Sequence, residues 1–351
     1  MHRSRSPSAR CSASLVVSSS STCFLEDAPV QHDAARRQTF IALFLLSCLT
    51  LVAIAAFMTL GARGDWYFIL QFRGTKLATL VLVAYAIAVS TVLFQTITNN
   101  RILTPSIMGF DALYVLLQSM LVFMLGAATV SSIDSRLMFV IDVAVMVGFS
   151  LFLYRFLFSG SVRGLHLMML IGIIFGVLFR SLSGFLQRII DPNDFVVLQD
   201  RLFASFNVVD GNLLGVSALL ISLASFAASR MFHTFDVMSL GRETAIALGV
   251  DHQRVTRTIL GLVAVLVSVS TALVGPVTFF GLLVANLAYL IVPSGKHRYL
   301  LPAAVLIAVI CLVGGQTILE RLLAFDTALS IVIEFTGGLF FILFVMRGSV
   351  R

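Results

Sequence analysis

Four ionisable residues, Asp111, Asp142, Arg180 and Glu334, stand in or beside stretches of the chain that are otherwise apolar. A charge at the centre of a bilayer costs about 3 kcal/mol or more, so each of the four must face protein or water. Carboxylates and a guanidinium in series could relay protons; local pairing asks less of the chain. Other reactive residues are not arranged for catalysis or ligation. His166, His233, His252 and His297 fall at predicted cytoplasmic ends of spans without ligand spacing, and Cys11, Cys23, Cys48 and Cys311 show no paired spacing. Free thiols, no metal site and no cofactor are therefore expected. No phosphate loop of the GxxxxGK[ST] type is present, so the chain is not expected to hydrolyse a nucleoside triphosphate itself. No His, Cys or Asp constellation has catalytic spacing, and the chain is expected not to be an enzyme.

The elements that must position these residues are membrane helices. With 59% hydrophobic and 12% charged residues and a mean hydropathy of +1.01, the chain is far from a soluble globule, which carries about 25% charged residues. Ten stretches approach the roughly 20 residues that a bilayer core requires: 39–60, 76–98, 107–128, 137–158, 165–186, 211–232, 258–275, 277–293, 300–318 and 328–346. They are expected to be helices, because backbone polar groups in lipid have no water to pair with and no alternating barrel pattern appears. Placing both termini in the cytoplasm puts sixteen of the 24 Lys and Arg residues on that side and seven opposite, with Arg180 inside a span. That is the bias of the positive-inside rule. The net charge of +7 is scattered over loops with no aromatic-interleaved basic surface, so anionic membrane lipid accounts for it and nucleic acid does not. Residues 1–38, rich in Ser, Arg, Ala and Pro, are expected to form a disordered cytoplasmic extension, with the membrane domain over 39–351.

One short polar segment interrupts the apolar pattern. LGRETAIALGV, residues 240–250, has a charged first turn in Arg242 and Glu243, small residues such as Ala245, and glycine at both ends: Leu240 and Gly241 before, Leu248 and Gly249 after. It reads as one capped amphipathic helix on the cytoplasmic side, a docking element. Three other segments have a defined order. Arg73, Gly74, Thr75 and Lys76 open the second predicted span, with the cations at i, i+3 on one face. Asn99, Leu103, Pro105 and Gly109 outline a cytoplasmic turn between the second and third spans. Gly275, Pro276 and Gly281, in GPVTFFG, break the helix at a span junction and let two short spans turn tightly.

Together these segments resemble the FecCD family of ABC importer permeases from Arg73 to the C-terminus. The resemblance implies an all-α polytopic protein of about ten transmembrane helices with the type II importer architecture. Residues 240–249 would be the coupling helix that fits a cleft on a cytoplasmic ATPase. Arg73, Lys76 and Arg321 would receive acidic residues of a periplasmic or lipid-anchored substrate-binding protein. The sequence departs from the family at Lys76, which replaces an arginine, and at Ala285 and Asn286, where Pro-His is usual. It departs again at Ala328, Leu329, Ser330 and Ile331 and at Gly337, Gly338, Leu339, Phe340 and Phe341, where two prolines are missing. The Ala285 and Asn286 variant resembles one branch of paired permeases, which implies a second, unlike permease in a heterodimer. The implied activity is translocation of an iron(III) siderophore, such as a catecholate, across the bacterial inner membrane by ATP-driven alternating access. The alternative is a proton-coupled secondary transporter using Asp111, Asp142 and Glu334, for which no inverted repeat is visible.

Overall fold

The structure, a computed structural model, describes residues 37–61, 66–158, 165–206, 210–292, 294–322 and 329–348. The predicted extension over 1–38 lies almost wholly outside them, as do Cys11, Cys23 and Ala328. The described residues are helical, without strands. In chain order they form α1 (Arg37–Thr59), α2 (Trp66–Thr98), a 3-10 turn (Pro105–Met108), α3 (Phe110–Leu125), α4 (Ala127–Ser132), α5 (Ser135–Phe158), α6 (Leu165–Ile189), α7 (Pro192–Leu202), α8 (Gly211–Ser229), α9 (Phe232–Met238), α10 (Arg242–Ala247), α11 (His252–Val274), α12 (Phe280–Ile291), α13 (His297–Leu322) and α14 (Leu329–Gly348).

Each of the ten expected stretches carries a helix, and among the described residues seven, α1, α2, α5, α6, α8, α11 and α13, are by themselves long and apolar enough to cross a membrane. Helices α3 and α12, at 16 and 12 residues, fall short of the roughly 20 a bilayer core takes. Glycines set these limits: Gly109 (φ 90°) starts α3, Gly126 (φ 76°) ends it, and Gly275 (φ 98°) ends α11. Only glycine reaches such angles without steric cost. The second span corrects the sequence reading, because α2 begins at Trp66 and places Arg73 and Lys76 inside the helix. Apolar residues ahead of Arg73 allow this, since the guanidinium turns back onto the end of α1.

Among the long helices, three contribute most to the core. Two thirds of the apolar windows of α2 and α11 are buried (67% each) and half that of α13 (50%), against 17% for α6 and 11% for α1. Between the spans, Asp-initiated helices recur. Asp191 caps α7, accepting from Asn193 N with Pro192 at the first helical position, Asp210 caps α8, and Asp251 caps α11. Each carboxylate satisfies a backbone donor left open by the first helical turn.

Candidate coupling and docking site

The 240–249 segment folds as the sequence pattern dictates. Gly241 (φ 95°) lets the chain leave α9 and start α10, and Gly249 (φ 82°) ends it. At the C-terminus, Val250 N donates to Ala245 O and Gly249 N to Ile246 O, both at 3.0 Å. This paired closure satisfies carbonyls that a helix end would leave open. Ala245 is fully buried, whereas Arg242, Glu243, Thr244, Ile246, Ala247 and Leu248 are exposed, as is Leu240. A single small residue faces the bundle, so one short helix sits flush on it and presents three large apolar side chains and two charges outward.

What lies beneath α10 was not visible in the sequence. Phe235 of α9 is fully buried and meets the His297 ring edge-on at 5.8 Å. Asp236 Oδ1 accepts from His297 N and from His297 Nδ1, both at 2.8 Å. His297 Nε2 lies 2.7 Å from Thr96 Oγ1 near the end of α2. Asn99 holds a left-handed backbone (φ 48°) just past α2, with its amide beside Gly241. Gln95 Nε2 donates to Arg101 O at 2.8 Å, and the Arg101 guanidinium stacks over Tyr289 of α12 at 4.5 Å. Asn286, where the family pattern expects His, donates to Leu282 O at 2.9 Å and reaches Arg101 O at 3.4 Å.

At the opposite ends of these helices the three expected docking cations have different surroundings. Arg73 Nη1 donates to the carbonyls of Phe57, Met58 and Leu60 at 3.0, 3.1 and 3.0 Å, closing the last turn of α1. Arg321 is exposed and also donates to Leu60 O. Lys76 is buried and ion-paired with Glu320 of α13.

Gly275 approaches the backbone at Ala204 so closely that a Cβ would lie 3.1 Å from Ala204 Cα, and Ser205 N donates to Val274 O at 2.8 Å. The α11–α12 junction is thereby tied to the segment after α7. Asp111 at the start of α3 lies within electrostatic reach of Arg180 and Glu334, with Ser106 and Thr278 alongside. Asp142 stands apart and buried, both oxygens accepting from Gln118 Nε2 at 3.0 and 3.1 Å. Among the described residues no group of three or more His, Cys, Asp or Glu is gathered to hold a metal.

The FecCD transport family model matches residues 38–347. The petrobactin import system permease protein YclO of Bacillus subtilis is 46% identical over 312 residues, covering 89% of this chain and 98% of its own. The petrobactin import system permease protein FatC of Bacillus anthracis is 36% identical, covering 80% of this chain and 79% of its own. Among solved structures, an inward-facing conformation of a metal-chelate type ABC transporter superposes with a TM-score of 0.76 at 22% identity, covering 88% of this chain and 99% of that one.

Proposed function

The chain belongs to the FecCD transport family, and from that premise we propose that it is the permease subunit of a binding-protein-dependent ABC importer moving an iron(III) chelate inward. It is a transport component and not an enzyme. The observation that carries the reading is α10: a six-residue helix closed by glycine at both ends, seated on Ala245 and presenting Leu240, Ile246 and Leu248 outward. Exposed apolar side chains on a rigid, capped helix suit the groove of a second protein. In this reading an ATPase holds α10, ATP closure draws two such helices together, and the path between two permeases changes its open side.

The cargo proposed is a ferric siderophore, catecholate types included. Support comes from relatives whose names specify petrobactin import and ferric enterobactin transport. On the outer face, docking of a substrate-binding protein is assigned to Arg73, Lys76 and Arg321, with the two arginines making contact and Lys76 acting from beneath through its pair with Glu320. The partner permease is proposed to be a second, unlike chain, and the membrane to be the bacterial inner membrane with both termini cytoplasmic. The family match leaves the proton-coupled alternative without an observation in its favour.

The test is purification from mild detergent with mass spectrometry of co-purifying proteins, followed by ATPase assay in lipid nanodiscs. Recovery of an ATPase, and loss of its binding-protein-stimulated turnover on deletion of 241–249 with membrane insertion intact, supports the reading. An isolated, monodisperse chain, or stimulation that survives the deletion, overturns it.

A further inference from the structure

Resting on that reading, we infer that Asp236 and His297 are positioning residues that carry motion of the docking helix into α2 and α13. Three elements meet in one buried side chain. His297, only 2% exposed, opens α13; its backbone N and its Nδ1 both donate to Asp236 Oδ1 on α9, and its Nε2 faces Thr96 Oγ1 on α2. Phe235, one residue before Asp236, is fully buried against the same ring. Helices α9 and α10 are separated by only three residues, and Gly241 N donates to Met238 O at 3.1 Å, so the two short helices move as one piece. Force applied to α10 therefore reaches α9, and through the carboxylate and imidazole it reaches the ends of two membrane spans.

The spans it reaches form a strut. Helices α2 and α13 are joined at the cytoplasmic end by Thr96 and His297 and at the other end by the buried Lys76–Glu320 pair. Twenty residues of helix separate the two links along α2, about 30 Å at 1.5 Å per residue, which is the thickness of a bilayer core. A helix pair pinned at both ends transmits displacement without shearing, because neither link lets one helix slide past the other. Lys76 is one turn from Arg73, so the strut ends at the outer docking face. The arrangement connects the ATPase side to the binding-protein side through one pair of helices.

The experiment uses the complete importer in nanodiscs with Thr96→Val, Asp236→Ala and His297→Asn, and with Thr96→Ser and Asp236→Asn as conservative controls. Thr96→Val removes one hydroxyl at constant shape, and His297→Asn keeps a donor toward Asp236 while losing the reach to Thr96. The result expected is an ATPase that still co-purifies and turns over at its basal rate. Stimulation by the loaded binding protein should fall at least about fivefold, the lower end of allosteric coupling factors, with Thr96→Ser and Asp236→Asn restoring most of it. Wild-type stimulation in both Thr96→Val and Asp236→Ala overturns the relay and leaves the importer reading standing. Loss of the ATPase from these variants also overturns it, showing that the cluster merely shapes the docking surface. Absence of an ATPase from the wild-type preparation overturns the importer reading, and the relay with it.

Discussion

Lys76 on α2 and Glu320 on α13, 244 residues apart in sequence, form an ion pair whose side chains are 7% and 12% exposed. Gln316, one turn before Glu320, donates to the same carboxylate oxygen at 2.9 Å, so the pair sits in a small polar network inside the bundle. Two buried charges that neutralise each other tolerate joint removal far better than single removal, because one partner left alone is an uncompensated charge. Lys76→Met or Glu320→Leu alone is expected to cost about 3–5 kcal/mol, and the double replacement less than either. Thermal unfolding of the four proteins in one detergent gives the cycle; additive single effects would show that the pair does not act as a unit.

Gly109, at the crossing of α3 on α6, and Gly148 in α5 should respond oppositely to the same substitution. At Gly109 (φ 90°) a Cβ would lie 3.0 Å from the Gly176 backbone, so Gly109→Ala meets both strain and a clash that no side-chain rotation relieves. At Gly148, in the body of α5, a Cβ meets nothing within 4 Å. Gly109→Ala is expected to destabilise by more than about 2 kcal/mol, while Gly148→Ala stabilises by about 0.5–1 kcal/mol through helix propensity. Unfolding midpoints of the two variants, moving in opposite directions, are the check.

Gly249 offers a test of the docking helix that leaves the bundle alone. Its φ of 82° disfavours any side chain, yet a Cβ there meets no atom within 4 Å. Gly249→Ala is therefore expected to loosen only the end of α10, at a local cost of about 1–2 kcal/mol, with the global unfolding midpoint unchanged. Affinity for the ATPase should drop about tenfold, and Gly249→Asn, which tolerates the left-handed region, should drop less. Equal affinities for all three proteins would detach α10 from ATPase binding.

Arg73 and Arg321 close the end of α1 from two different helices, both reaching Leu60 O. Arg73→Ala is expected to free several carbonyls at a net cost of about 1.5 kcal/mol. Backbone amides around 57–61 should then exchange hydrogen roughly tenfold faster, while those of α11 are unchanged. Unaltered exchange at 57–61 would mean that the Arg73 bonds do not hold the end of α1.

Much of this arrangement was legible in the sequence because it depends on local chemistry. The spacing of Gly241 and Gly249 around an amphipathic turn gave α10, and Gly275–Pro276 marked the break between α11 and α12, since left-handed and helix-breaking positions announce themselves by residue type. The Asp-Pro-Asn-Asp run at 191–194 carries an equally local signal for α7, an Asp cap followed by proline, in a helix too short and polar to stand out as a span. Long-range pairing left no such trace. Lys76 reads as an interfacial cation until Glu320 is folded against it, and His297 lacked neighbours at ligand spacing because its partners lie 61 and 201 residues away. Asp111, Arg180 and Glu334 read as separate liabilities in three spans, and only folding brings Arg180 and Glu334 within electrostatic reach of Asp111.

The light burial of α1 has a consequence for how the protein is made. Helix α1 is made before most of the partners that later fix it: Arg73 follows within a few dozen residues, but Tyr299, whose ring meets Phe40 edge-on at 5.7 Å, and Arg321 are synthesised more than two hundred residues afterwards. Until then it has few protein partners, and a helix whose apolar window is only 11% buried suits that wait. Helix α1 is thus locked in place only after α13 is made, so loss of the Tyr299 and Arg321 contacts would release α1 while leaving the buried faces of α2 and α11 intact.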